Sequence, residues 1–481
     1  LSTLKRFFQD TIIYGFATVL PRLMNFILVP LHVSALTTGN YSINTTFYVW
    51  AAFFNVVLSF GMETAFFRFF ATSKEKNKVF STAFISLTAS TIIFFLLVFI
   101  FREHIFDLLD LKPFYFNILL GVLALDALVV IPFAYLRASN RPVKFALVKI
   151  INIGIVVLLN FYFLWWVAKF PQTTPQFILD NYSDADKVGY IFLANLAASA
   201  VTFLILLPYF FRMKANFSVP VFKKMIGYSW PIMVAGLAFV INENLDKLLL
   251  KDMLSDEIMG AYSGCYKLAV FMTIFVQAFK LGAEPFFFNQ AEKKNARQTY
   301  ALILTYFVIA GSFILLFLVA FLDFFKELII RNDDYWVTIA IVPVVLLANL
   351  FLGIYHNLSV WYKLTDKTRM GMYISVFGAL ITIGLNLLLI PVIGFMAAAW
   401  ATLAAYGSMV MISYFLGRKY YPVPYNIKKI GFYLILSSGL SIISFLFFRE
   451  NYIVASGFIL LFLLIVYFME QKQLRQLINS G

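Results

Sequence analysis

The chain has 481 residues, 62% of them hydrophobic and only 13% charged, with a mean hydropathy of +0.86. Soluble globular domains run nearer about 45–50% apolar and about 25% charged, so a soluble fold is excluded and an all-α polytopic membrane protein is indicated. The net charge of +14 would suit a nucleic acid, but the single cysteine, Cys265, and the scattered His32, His104 and His356 leave neither a disulfide framework nor a multi-cysteine metal site.

A helix crossing about 30 Å of hydrocarbon needs about 20 apolar residues. Fourteen segments meet that requirement, near 11–34, 42–67, 79–101, 114–136, 145–167, 188–211, 225–250, 257–288, 300–322, 335–362, 370–390, 395–416, 430–448 and 452–469. The first is too long for a signal-peptide core and lacks a small-residue cleavage site, so it is expected to be a retained span. Spans 7 and 8, divided by "KDMLSDE", are the least cleanly separated. The longest connection, "KFPQTTPQFILDNYSDADK" at 169–187, is too short for a folded domain, so any chemistry lies among the helices.

With the N-terminus placed inside, one set of span ends carries 25 basic residues, among them Arg68, Arg137, Arg297 and Arg418, and the opposite set carries eight. Basic residues near span ends mark the cytoplasmic side. Both termini are therefore expected in the cytoplasm, with anionic lipid rather than nucleic acid as the partner of the positive charge.

Two motifs recur in one register. "GNYS" from Gly39 is repeated as "GAYS" from Gly260, and the pattern G-x-E-x-x-F-F occurs at Gly61 and again at Gly282, each pair 221 residues apart. Further on, the shift becomes 226, pairing Asn160 with Asn386, and then 205 past the long loop. Spans 1–6 and 7–12 thus read as two copies, giving an N-lobe over 1–216, a C-lobe over 217–420, and spans 13–14 with a tail over 421–481. Six is even, so the copies are parallel, related by an axis along the membrane normal. Repeats of this kind flank a central site and rock to give alternating access, which points to transport.

Charged residues inside spans are costly and usually have a reason. The cations are Arg22, Lys149, Lys247, Lys267 and Lys280; the acids are Glu63, Asp126, Glu243, Asp246 and Glu284. Cations lining a cavity suit an anionic ligand such as a phosphate or pyrophosphate. Arg22, beside Pro21, and Lys267 are the candidates for cavity lining, whereas Lys149 and Lys280 also suit salt bridges or snorkelling. In span 7, Glu243 and Lys247 stand at i,i+4 and are expected to pair, leaving Asp246 free. Asp126 suits either a structural pair or ion coupling. Glu63 and Glu284, a turn or two from the cytoplasmic ends, suit a brace or gate better than a central ligand. Asn25, Asn152 and Asn160 read as interhelical hydrogen-bonding groups. No catalytic constellation or metal site is read from the sequence.

This pattern of fourteen spans, the two duplicated motifs and the polar "ASNRP" turn at 138–142 resembles the polysaccharide-transport branch of the MOP flippase superfamily, to which lipid II flippases and MATE drug exporters are related. The resemblance implies two lobes that turn a polyprenyl-pyrophosphate-linked oligosaccharide from the inner to the outer leaflet of the bacterial cytoplasmic membrane. It implies no enzyme activity, and polymerase or glycosyltransferase partners in polysaccharide assembly. It also implies that basic residues attract the pyrophosphate, and Arg22 and Lys267 stand where these are expected. The alternatives are a MATE-like exporter coupled to Na+ or H+ through Glu243, Asp246 or Asp126, and a membrane polymerase or acyltransferase, which the short loops disfavour.

Overall fold

A computed structural model describes residues 20–21, 23–139, 141–211, 216–291, 293–365 and 367–479, without the side chains at 284–285, 288–289 and 472–479. Every long element is a helix, and the described residues contain no strand. Thirteen helices are long and apolar enough to cross a membrane, and they correspond to spans 2–14. Of the first expected span, an apolar helix over Leu23–Ala35 is described. Helices satisfy all their backbone polar groups internally, so a chain this apolar has little other choice in lipid.

By contacts the chain divides into a unit Leu1–Ser263 and a unit Gly264–Gly481. This division falls inside span 8, whereas the sequence repeat turns over at 216/217. The difference has a local cause, because span 7 (Val219–Met253) packs along span 2 within the first unit. Gly61 and Gly236 permit this approach: a Cβ on Gly61 would lie 2.6 Å from the Ser229 carbonyl oxygen, and one on Gly236 would lie 3.0 Å from Val56.

In the first unit, span 6 (Lys187–Leu206) packs on spans 4 (Pro113–Ala138) and 5 (Pro142–Phe161). Val129, Leu136, Phe145, Val148 and Leu206 form a buried cluster there. Nearer the other end of span 6, Phe192 stacks on Phe47 of span 2 at 3.8 Å. In the second unit, span 10 (Ile341–Leu364) is the most enclosed, with 78% of its apolar window buried. It packs against span 12 (Met396–Tyr420), and spans 13 (Ile427–Phe447) and 14 (from Tyr452) pack on span 9 (Ala296–Ala320). Apolar side chains that water would not tolerate in such number, such as Leu388, Val392 and Ile453, stay exposed on spans 11 and 14 and belong to lipid.

Connections outside the hydrocarbon are pinned by charge. Asp323, after span 9, takes hydrogen bonds from Arg449 at 2.5 and 3.1 Å and from Lys326 at 2.9 Å. Burial alone would raise its pKa, but these two cations hold it below the usual carboxylate value.

Candidate functional site

The duplicated glutamate motif takes two different forms. In the first copy the helix of span 2, Thr38–Ser59, stops at Phe60 and Gly61, both with positive φ, and restarts as Met62–Thr72. Phe60 has φ 35° and Gly61 φ 71°, a left-handed region that glycine enters without steric cost. Glu63 therefore sits in the first turn of a new helix, where an acid complements the dipole. In the second copy the helix Val270–Gln290 runs unbroken through Gly282. The Glu284 side chain lies outside the described residues.

The restart brings Glu63 to Arg137 of span 4 at 3.0 Å. Arg137 also lies 4.8 Å from the ring centre of Phe67, an aromatic of the same motif, and joins a wider polar cluster. Lys149 of span 5 is within electrostatic reach of Glu63, Arg137 and Asp126, and its ammonium lies 4.4 Å over the Phe133 ring. Asp126 accepts a hydrogen bond from Ser199 of span 6 at 2.7 Å. One turn from Ser199, Thr202 accepts from Asn152 at 3.0 Å. Four of the residues singled out in the sequence, Glu63, Asp126, Lys149 and Asn152, thus lie on neighbouring helices of one polar seam.

Span 7 holds a second cluster, and here the expected pairing is corrected. Asp246 is not left free. Lys247 binds it at 3.1 Å, and Tyr262 donates to its other oxygen at 2.8 Å. Lys247 also donates to the Glu243 backbone carbonyl at 2.5 Å. Asp246, Lys247 and Tyr262 are 1%, 6% and 0% exposed. Such a pair survives without water only because each charge finds a close partner and further hydrogen bonds. Tyr262 is the tyrosine of the second G-x-Y-S motif, whose glycine, Gly260, lets span 8 meet the Thr38 backbone. Ser42, from the first copy of that motif, donates to Asp256 at 2.6 Å, and Lys251 bridges Asp256 and Asp110.

In the second unit, Lys267 opens a one-turn 3-10 segment, Lys267–Ala269, that interrupts span 8. Interruptions of this kind often mark functional hinges. Asn349 of span 10 donates to the Ala269 carbonyl at 3.3 Å and supports the irregular turn. Lys280, farther along the same span, and Lys363 are within electrostatic reach of His356. Arg22 lies outside the described residues. Of the glue candidates, Asn160 meets His32 at 2.8 Å just before a π-helical turn, Tyr162–Trp166, in span 5. The sequence reading missed Tyr262, Asn349 and Arg137 as partners; the recurrence of Tyr41 as Tyr262 was the one available signal.

A family model described as "Polysaccharide biosynthesis protein" matches residues 7–288, more than half of the chain. The chain belongs to the polysaccharide biosynthesis protein family. A second model, MatE, matches residues 231–388. Among solved structures this family member is similar to "Lipid II flippase MurJ, inward closed conformation", with a TM-score of 0.73 and 15% identity over 96% of this chain and 100% of that one. It is also similar to an inward-facing multidrug resistance MATE family transporter of the MOP superfamily, with a TM-score of 0.63 and 11% identity over 85% of this chain and 94% of that one. A MOP superfamily transporter from Pyrococcus furiosus, described as having reverse polarity of its binding pocket, matches with a TM-score of 0.57 and 12% identity, over 86% and 94%. No curated protein sequence matches significantly. This polysaccharide biosynthesis protein thus shares the fold of those MOP superfamily transporters.

For this family member, the polar groups have distinct chemical capacities. A buried ion pair such as Asp246–Lys247 is electrically neutral and attracts a distant anion weakly. Lys267 places a cation at a helix interruption, where the Val270 N–H donates to the Lys267 carbonyl and Asn349 donates to the Ala269 carbonyl. Among the described residues, no group of three or more His, Cys, Asp or Glu is arranged to hold a metal ion.

Proposed function

We propose that the chain is a flippase that moves a polyprenyl-pyrophosphate-linked oligosaccharide across the bacterial cytoplasmic membrane by alternating access. The observation that carries this reading is a lysine, Lys267, seated at the 3-10 interruption of a membrane span in a chain of this family. The pyrophosphate of the carrier is attracted by Arg22, Lys267 and Lys280. Lys247 is assigned a smaller part, since Asp246 already neutralises it, and Lys149 serves the polar seam with Asp126. Glu63 braces span 2 against span 4 through Arg137, and Glu284, its counterpart in the sequence repeat, is assigned a brace or gate as well. The rocking lobes are the two sequence copies, 1–216 and 217–420, with 421–481 appended. The excess of basic residues on one side supports cytoplasmic termini. Polymerases and glycosyltransferases of the same assembly line are the expected partners.

A second reading is an exporter coupled to Na+ or H+, favoured by the MatE match over residues 231–388. In that case Asp126, Glu243 and Asp246 carry the coupling. Deleting the gene separates the two. A flippase leaves the lipid-linked sugar accumulating on the inner leaflet, which extraction and mass spectrometry detect. Unchanged precursor with altered dye efflux would overturn the flippase reading. Arg22→Gln and Lys267→Gln should each impair turnover while the folded protein persists.

A further inference from the structure

On the basic side of the second unit, Lys294, Arg297 and Arg418 converge on a cleft of 580 Å³, walled by Tyr414, Tyr425 and the Pro422–Pro424 stretch. The three cations come from three places: the connection before span 9, the first turn of span 9 and the last turn of span 12. Among the described residues, no carboxylate lines the cleft and none of the three cations makes an ion pair. Other charges of the same unit are paired: Arg449–Asp323 at 2.5 Å, and, lining the adjoining groove, Lys429–Glu470 at 2.7 Å. Arg297 is held 4.7 Å over the Tyr421 ring, a contact that fixes the guanidinium but leaves its positive charge unneutralised. Three cations around one cleft, with no described carboxylate lining it, suit an anion.

The surroundings narrow the class of anion. The cleft shares Gln298 and Pro424 with a groove that descends between spans 9 and 13 past Leu302 and Thr305. Leu302 is 39% exposed on the lipid-facing surface. From Gln298 to Thr305 the groove covers about 10 Å of helix rise, enough to seat the first part of an acyl chain but short for a polyprenyl tail. Basic pockets between membrane helices on the cytoplasmic side suit anionic headgroups. We propose that this cleft binds the phosphate of an anionic membrane phospholipid, with one acyl chain laid along the span 9–span 13 groove. The lipid ties together the ends of spans 9, 12 and 13. This site does not depend on which substrate the protein moves.

The test uses the full-length protein, purified in detergent, stripped of lipid and titrated with phosphatidylglycerol or phosphatidylcholine under native mass spectrometry. Wild type should take up phosphatidylglycerol preferentially. The Lys294→Gln/Arg297→Gln/Arg418→Gln variant should bind it on the order of a hundredfold more weakly, from roughly fivefold per cation. Arg297→Lys/Arg418→Lys should retain most binding, and Lys74→Gln/Lys76→Gln/Lys78→Gln, in the basic connection before span 3, should retain all of it. Equal binding by the triple-Gln variant and wild type would overturn the site. So would equal uptake of the two lipids, displacement by inorganic phosphate alone at matched concentration, or exclusive binding of polyprenyl phosphate.

Discussion

The two glycines of the duplicated motif should respond to the same substitution with opposite signs. In Gly61→Ala the new Cβ would stand 2.6 Å from the Ser229 carbonyl oxygen and 3.2 Å from Ile232, on a residue with φ 71°. Placing an L-residue in the left-handed region costs about 1–2 kcal/mol. The Ser229 oxygen is backbone in a long helix and cannot swing aside, so relieving the overlap adds about 1–3 kcal/mol. Gly61→Ala is therefore expected to destabilise by about 2–5 kcal/mol. Gly282 lies inside a continuous helix, and a Cβ added there would meet nothing within 4 Å. Replacing a mid-helix glycine by alanine gains about 0.5–1 kcal/mol. Unfolding of the two purified variants in mixed micelles of graded denaturing detergent measures both against wild type. If Gly61→Ala proves neutral, or Gly282→Ala proves as harmful, the broken and unbroken forms of the motif have been assigned wrongly.

Removing one partner of the span 7 pair should be worse than removing both. Lys247→Met is expected to cost about 3–5 kcal/mol, and Asp246→Asn/Lys247→Met much less; a double-mutant cycle in the same unfolding assay reads the difference. The exposed Glu63–Arg137 pair, 44% and 45% exposed, should contribute no more than about 1 kcal/mol. Glu63→Gln should accordingly leave unfolding nearly unchanged, and any loss of transport would then report on gating rather than folding. Asp323 gives a pH signature. Its folded pKa is depressed, so its stabilisation is present above the unfolded value of about 3.9 and is lost as pH falls through the folded one. Asp323→Asn should cost about 2 kcal/mol at pH 7, with the gap from wild type narrowing as pH falls below the unfolded carboxylate value and through the folded one.

Span positions and their repetition were legible because hydrocarbon thickness and helix rise dictate long apolar runs, and two motifs kept their register across 221 residues. The fate of each motif was not. Gly61 and Gly282 share their local pattern, yet only Gly61 meets a neighbouring backbone close enough to select a broken helix. Pairing inside span 7 failed for a related reason. The i,i+4 rule describes an isolated helix surface, whereas Asp246 is buried and Tyr262 of the next span supplies its second partner. The 3-10 turn at Lys267 carries no local signature, and the side chain that hydrogen-bonds it, Asn349, lies far along the chain. Composition announced these polar groups, but tertiary neighbours decided what each one does.

The adjacency of Asp246 and Lys247 bears on biogenesis. A nascent helix entering the bilayer with an unmatched charge faces an insertion penalty of up to about 2.5–3.5 kcal/mol, the value at the bilayer centre; Asp246 and Lys247 lie in the last two turns of Val219–Met253. Span 7 carries the opposite charge on the very next residue, and the two side chains reach each other at 3.1 Å. Two of the three charges of this stretch thus arrive matched before span 8 has been synthesised, and only Glu243 adds net charge. Tyr262 joins one span later, turning a transient self-neutralised pair into a fixed one, so co-translational order becomes part of how the pair is made.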